Sequence, residues 1–112
     1  MEGPLYEAVL GIKGVQGKAV VLRRGDLEIE LFQFTRPLPR PKDPAYPVSD
    51  HGITHVCIEV SGVDDEFKRL GAAGVVFHCP PVTFANGARI TYARDPDGNV
   101  IELWQRAQKR SL

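Results

Sequence analysis

Five of the nine prolines fall within residues 35–50, TRPLPRPKDPAYPVSD. Each proline withholds a backbone N–H and fixes φ. Neither a helix interior nor a central strand can therefore run through this stretch. The 112 residues are enough for one domain, and the proline segment is expected to act as a semi-extended linker between its two halves. The division is a first module at 1–34, a linker at 35–50, a second module at 51–105 and a polar tail at 106–112.

In the first module, PLYEAVL predicts a short helix over 4–10. Pro4 suits its first turn, Gly11 its stop, and Leu5, Val9 and Ile12 form one apolar stripe. A short strand is expected at 12–15. Gly25-Asp26 reads as a hairpin turn between strands at 19–24 and 27–34. In the second module, THVCIEV predicts a strand over 54–60 and VDDEFKRLGAAG a helix. Asp64 and Asp65 favour its N-terminal dipole, and Val63, Phe67 and Leu70 make its apolar face. VVFHC, ARITYAR and VIELWQ read as three further strands, the last two joined by the turn DPDGN. The order of elements is thus nearly repeated, with no strand ahead of the first helix. IELFQ at 29–33 and IELWQ at 101–105 close the two halves.

Fourteen Lys and Arg balance fourteen Asp and Glu, so the chain lacks the basic excess that a nucleic-acid partner requires. With 43% hydrophobic and 25% charged residues it reads as an ordinary globular chain. No apolar run approaches the roughly 20 residues of a membrane span. The opening MEGPLYEAVL lacks the basic start and apolar core of a secretory signal. Cys57 and Cys79 have no CxxC spacing, and a reducing cytoplasm is the expected setting.

Alternation along the strands sorts the chemistry onto one face. Val56, Ile58 and Val60 form an apolar face suited to the helices, and His55, Cys57 and Glu59 take the other. Glu28, Glu30, Phe32 and Phe34 share a face, as do Val100, Glu102 and Trp104. If these second faces curve around one hollow, Glu30, His55 and Glu102 could converge. A buried carboxylate needs a partner or a metal. Two carboxylates and an imidazole suit manganese, iron, cobalt, nickel or zinc, although strand glutamates are commonly solvated and strand histidines commonly structural. Phe32 and Trp104, each two residues beyond a carboxylate, are the pocket candidates, and Cys57 shares the His55 face. Arg89 and Thr91 could meet an anionic substrate group. His51 reads as a loop residue, His78 as structural and Tyr92 as core.

HGITHVCIEV, VDDEFKRLGAAGVVF and above all YARDPDGNVIELWQ resemble the vicinal oxygen chelate superfamily, the glyoxalase/bleomycin-resistance/extradiol dioxygenase group. The resemblance implies an α+β fold of paired βαβββ modules in a partial barrel, here with the first module lacking its opening strand. It implies metal ligands at His55 and Glu102 in the second module and Glu30 in the first, around a divalent ion (Ni, Co, Zn, Mn or Fe). It further implies a glyoxalase I-like lyase or isomerase acting on a small oxygenated substrate, with Glu102 or Glu30 as the base. A metal-free drug-binding protein, an epimerase and an extradiol dioxygenase are the alternatives, the last disfavoured because its second histidine would come from the absent strand. A homodimer is expected, since the shortened first module leaves surface to cover.

Overall fold

The computed structural model describes residues 1–108, so the end of the polar tail lies outside the described residues. It divides into two compact units, Met1–Pro41 and Lys42 onward, with the boundary inside the proline-rich segment.

The first unit contains α1 (Pro4–Leu10), β1 (Gln16–Arg24) and β2 (Leu27–Arg36). Pro4 opens α1 where a missing N–H costs nothing, and Gly11 ends it at φ 67°. The predicted stripe forms, but it faces outward: Leu5 is 82% and Val9 84% exposed. The expected strand at 12–15 is replaced by a turn, and β1 begins only at Gln16. Gly14 adopts φ 68°, a left-handed conformation that breaks the extended backbone a strand needs. β1 and β2 pair antiparallel around Gly25 (φ 59°), in a register that sets Val21 against Glu30 and Ala19 against Phe32. Before α1 there is one bridged pair, Glu2 with Gln16. Val15 is the one buried apolar side chain among the unit's described residues.

The second unit contains β3 (His55–Glu59), α2 (Val63–Ala72), β4 (Val76–Phe77), β5 (Val82–Thr83), β6 (Arg89–Arg94) and β7 (Val100–Gln105). The sheet order is β3-β7-β6-β4, with β5 also on β6. β3 and β7 are parallel and the other pairs antiparallel. Neither this sheet nor the β1–β2 ribbon closes on itself. The expected strand VVFHC is only two residues long, because Pro80 and Pro81 cannot extend the ladder. A separate β5 follows them.

α2 packs on one face of this sheet. Val63 is fully buried, worth about 1.5–3 kcal/mol, and Phe67 meets Phe77 edge-on at 4.8 Å between ring centroids. Gly62 precedes α2 and offers no side-chain cap. The Val63 N–H instead donates to Gln105 Oε1 at 2.9 Å, so the glutamine of the IELWQ echo caps the helix from the last strand.

Residues 42–50, read as linker, are part of this second unit and are tied to it. Tyr46 is buried, and its hydroxyl donates to the Thr54 carbonyl at 2.6 Å and accepts from the Val100 N–H at 3.3 Å. Arg94 donates to the Tyr46 carbonyl at 2.8 Å and to the Gly98 carbonyl at 3.0 Å. Gly98, in the DPDGN turn, has φ 85°, and a Cβ there would run into the Pro44 backbone.

Candidate functional site

The register of three strands assembles the site. Parallel pairing of β3 with β7 sets Cys57 against Glu102, and antiparallel pairing of β6 with β7 sets Tyr92 against Glu102. Alternation then puts His55, Cys57, Tyr92 and Glu102 on one face and Val56, Ile58, Ala93, Ile101 and Leu103 on the other, where α2 packs.

His55 Nε2 lies 3.2 Å from Glu102 Oε2. Tyr92 Oη is also 3.2 Å from His55 Nε2, and Thr54 Oγ1 is 3.0 Å from His55 Nδ1. The proton's position decides which ring nitrogen donates: a metal at Nε2 requires it on Nδ1, where Thr54 Oγ1 would accept it, whereas a proton on Nε2 would be donated to Glu102 or Tyr92. Two donors each about 2.1 Å from one divalent ion stand about 3.0–3.4 Å apart, so the spacing of this pair fits neighbouring ligands. Burial and the negative charge of Glu102 push both the Cys57 thiol and the Tyr92 phenol above their usual ranges. Cys57 stands directly across from Glu102 in the parallel register, which brings the thiol under the carboxylate's charge.

The remaining predicted residues are distributed differently. Glu30 and Phe32 lie on β2 of the first unit, where Phe32 stacks on Phe34 at 5.9 Å. Trp104 shares the Glu102 face, and Arg106 lies 4.8 Å above its ring. Arg89 is engaged from the helix side: it donates to both carboxylate oxygens of Asp64 at 2.8 and 2.9 Å and to Thr83 Oγ1 at 2.9 Å. That pairing holds the Asp64 carboxyl below its ordinary range. Thr91 is buried, with its hydroxyl donated to the Cys79 carbonyl at 2.7 Å. Among the described residues, no three His, Cys, Asp or Glu side chains gather closely enough to hold a metal ion.

Tyr92 and His78 belong to this region, although one was read as core and the other as structural. The DPDGN turn carried the signal for Tyr92, since a hairpin closing Arg94 on Val100 must set Tyr92 across from Glu102. His78 had no local signal, because its place depends on distant partners: its backbone N–H donates to the Tyr92 carbonyl at 2.9 Å, and the Arg94 guanidinium donates to its Nε2 at 2.9 Å. Among the described residues, hollows lie on both faces of the sheet. One of about 450 Å³ includes Tyr92, Glu102 and His78. Another, about 640 Å³, lies on the helix side among Leu70, Val75, Ile101 and Leu103.

A family model described as the Glyoxalase/Bleomycin resistance protein/Dioxygenase superfamily matches residues 5–103. The chain belongs to this superfamily. Its members include metal-dependent enzymes and binding proteins, and they generally use divalent metals. A glyoxalase family protein from Bacillus cereus is 24% identical and has a TM-score of 0.86, with 96% of this chain and 74% of that one covered. A glyoxalase/bleomycin resistance protein/dioxygenase from Nocardioides is 17% identical with a TM-score of 0.57, over 96% and 76% of the two chains. A virulence protein from Salmonella typhimurium is 29% identical with a TM-score of 0.51, over 92% and 83%. The α+β, glyoxalase-like fold is thus shared with solved structures. No protein of curated function matches the sequence. Among the described residues, no helix is long and apolar enough to cross a membrane.

Proposed function

We propose that this superfamily member is a metal-dependent lyase or isomerase of the glyoxalase type, acting on a small oxygenated molecule. The single observation that carries the reading is the half-buried His55–Glu102 pair, with its donors 3.2 Å apart and its imidazole oriented by Thr54. His55 and Glu102 would hold the ion. A divalent ion there supplies a Lewis acid for two neighbouring substrate oxygens. Glu102 takes a proton next to a carbonyl and returns it one carbon away. Cys57 and Trp104 share the strand face that carries Glu102. Two free thiols suit a reducing cytoplasm. The test is equilibrium loading with nickel, cobalt or zinc. One tightly bound ion, lost in Glu102→Gln, supports the reading, whereas equal loading of wild type and variant refutes the ligand assignment.

A metal-free binding protein is the second reading, favoured by the presence of only two gathered ligands among the described residues. It predicts no tight ion in a fully folded protein.

We also infer a homodimer. Val20, Val21, Leu22, Ile29, Leu31 and Phe32 are all more than 40% exposed along a two-stranded ribbon that presents apolar groups on both faces. Such a ribbon is marginal in water without something to cover it. A second copy is the natural cover, because Val56 and Ile58 on edge strand β3 are exposed too.

A further inference from the structure

The hollow of about 450 Å³ beside Glu102 is chemically divided. Along β6 the side chains on the Glu102 face run Ile90, Tyr92, Arg94. Val82 of β5 pairs with Ile90, and Phe84 follows β5, so the apolar wall lies toward the start of β6. Tyr92, Glu102 and His78 lie farther along, Ile90 and Tyr92 being separated by about 6–7 Å of strand. Val82 and Phe84 are 48% and 54% exposed, an apolar patch offered to solvent next to polar groups.

Among the described residues, no lysine or arginine lines this hollow. The nearby guanidinium of Arg94 is consumed by His78 Nε2, the Gly98 carbonyl and the Tyr46 carbonyl. Because Nε2 of His78 accepts from Arg94, which can only donate, the ring proton of His78 sits on Nδ1. Among the described residues of the lining, Glu102 carries the one formal charge, and its carboxylate repels anions.

We propose that this hollow is a subsite for an uncharged apolar arm, aromatic or branched aliphatic, of a ligand whose oxygens reach the His55–Glu102 pair. It discriminates against arms ending in carboxylate or phosphate. The inference rests on the metal-centre reading only for where the oxygens sit; the arm's chemistry comes from the wall itself.

The probes are two hydroxamates with the same pair of neighbouring oxygens, phenylacetohydroxamate and the monohydroxamate of succinate, titrated calorimetrically into nickel-loaded protein. The phenyl arm is expected to bind about tenfold tighter. Phe84→Ser should shrink that preference to about threefold or less while leaving nickel affinity unchanged. In metal-free protein, phenylacetamide and succinamate are compared by chemical-shift mapping. Phenylacetamide should perturb Val82, Phe84 and Ile90, and succinamate should not. If nickel is not retained but this mapping holds, the metal reading fails and the subsite stands. If the succinate arm binds as well as the phenyl arm, if Phe84→Ser leaves the preference intact, or if phenylacetamide maps elsewhere, the subsite is overturned.

Discussion

The Tyr46 hydroxyl donates to the Thr54 carbonyl at 2.6 Å, one residue before His55. The same oxygen accepts from the Val100 N–H at 3.3 Å, and Val100 pairs with His55 in the parallel register of β3 and β7. One buried phenol thus clips together the starts of the two strands that carry the candidate ligands. Tyr46→Phe keeps the ring between Lys42 and Arg94 and removes only the clip. It should cost about 1–2 kcal/mol in urea unfolding, because the Thr54 carbonyl and Val100 N–H lose a buried partner. A variant as stable as wild type would show that the clip contributes nothing.

Removing the candidate ligands should separate metal binding from folding. Glu102→Gln keeps the shape of a half-buried side chain and should lower nickel affinity about 100-fold or more, with a melting temperature close to that of wild type. Tyr92→Phe removes a hydrogen bond to His55 but no ligand. That bond occupies Nε2, the atom an ion would take, so nickel affinity should be unchanged or slightly higher in the same titration. A larger effect from Tyr92→Phe than from Glu102→Gln would reverse their roles.

The Cys57 thiol gives a pH-dependent readout of Glu102. Burial first, and then the charge of Glu102, raise the thiol's pKa. A raised thiol holds its proton to higher pH, so less thiolate is present at any given pH. Alkylation by iodoacetamide, followed by mass spectrometry, should reach half its limiting rate above the ordinary thiol range of about 8.5. Glu102→Gln removes the charge and should move that midpoint down. An unmoved midpoint would mean that the carboxylate does not act on the thiol.

Gly98→Ala should be strongly destabilising. The position has φ 85°, where an L side chain is strained, and its Cβ would collide with the Pro44 backbone. A loss of at least about 2 kcal/mol is expected by thermal unfolding. Asp97→Ala in the same exposed turn serves as the mild comparison, and equal losses would remove the special status of Gly98.

Leu31→Lys on the exposed ribbon tests the dimer. Sedimentation of wild type should give twice the chain mass at micromolar concentration, and the variant should shift toward monomer without losing the second unit's fold. Wild type sedimenting as a monomer throughout would remove the inferred partner.

Local pattern was enough for much of this protein. The helix at Pro4–Leu10 follows from proline and glycine at its ends, the hairpin from Gly25, and the faces of β3 and β7 from strict alternation, all properties of neighbouring residues. The DPDGN turn even determines that Tyr92 stands across from Glu102. Other features required contacts between residues far apart in the chain. Tyr46 looked like linker because nothing near it in sequence marks the Thr54 carbonyl and Val100 N–H that bury its hydroxyl, the latter 54 residues away. Arg89 looked available to an anion until Asp64, 25 residues earlier, took its guanidinium, and His78 entered the site region through the Tyr92 carbonyl and the Arg94 guanidinium. Side-chain alternation is written into each strand, but which donor finds which acceptor is decided when separate strands and loops pack, since a hydrogen bond depends on distance in space and not along the chain.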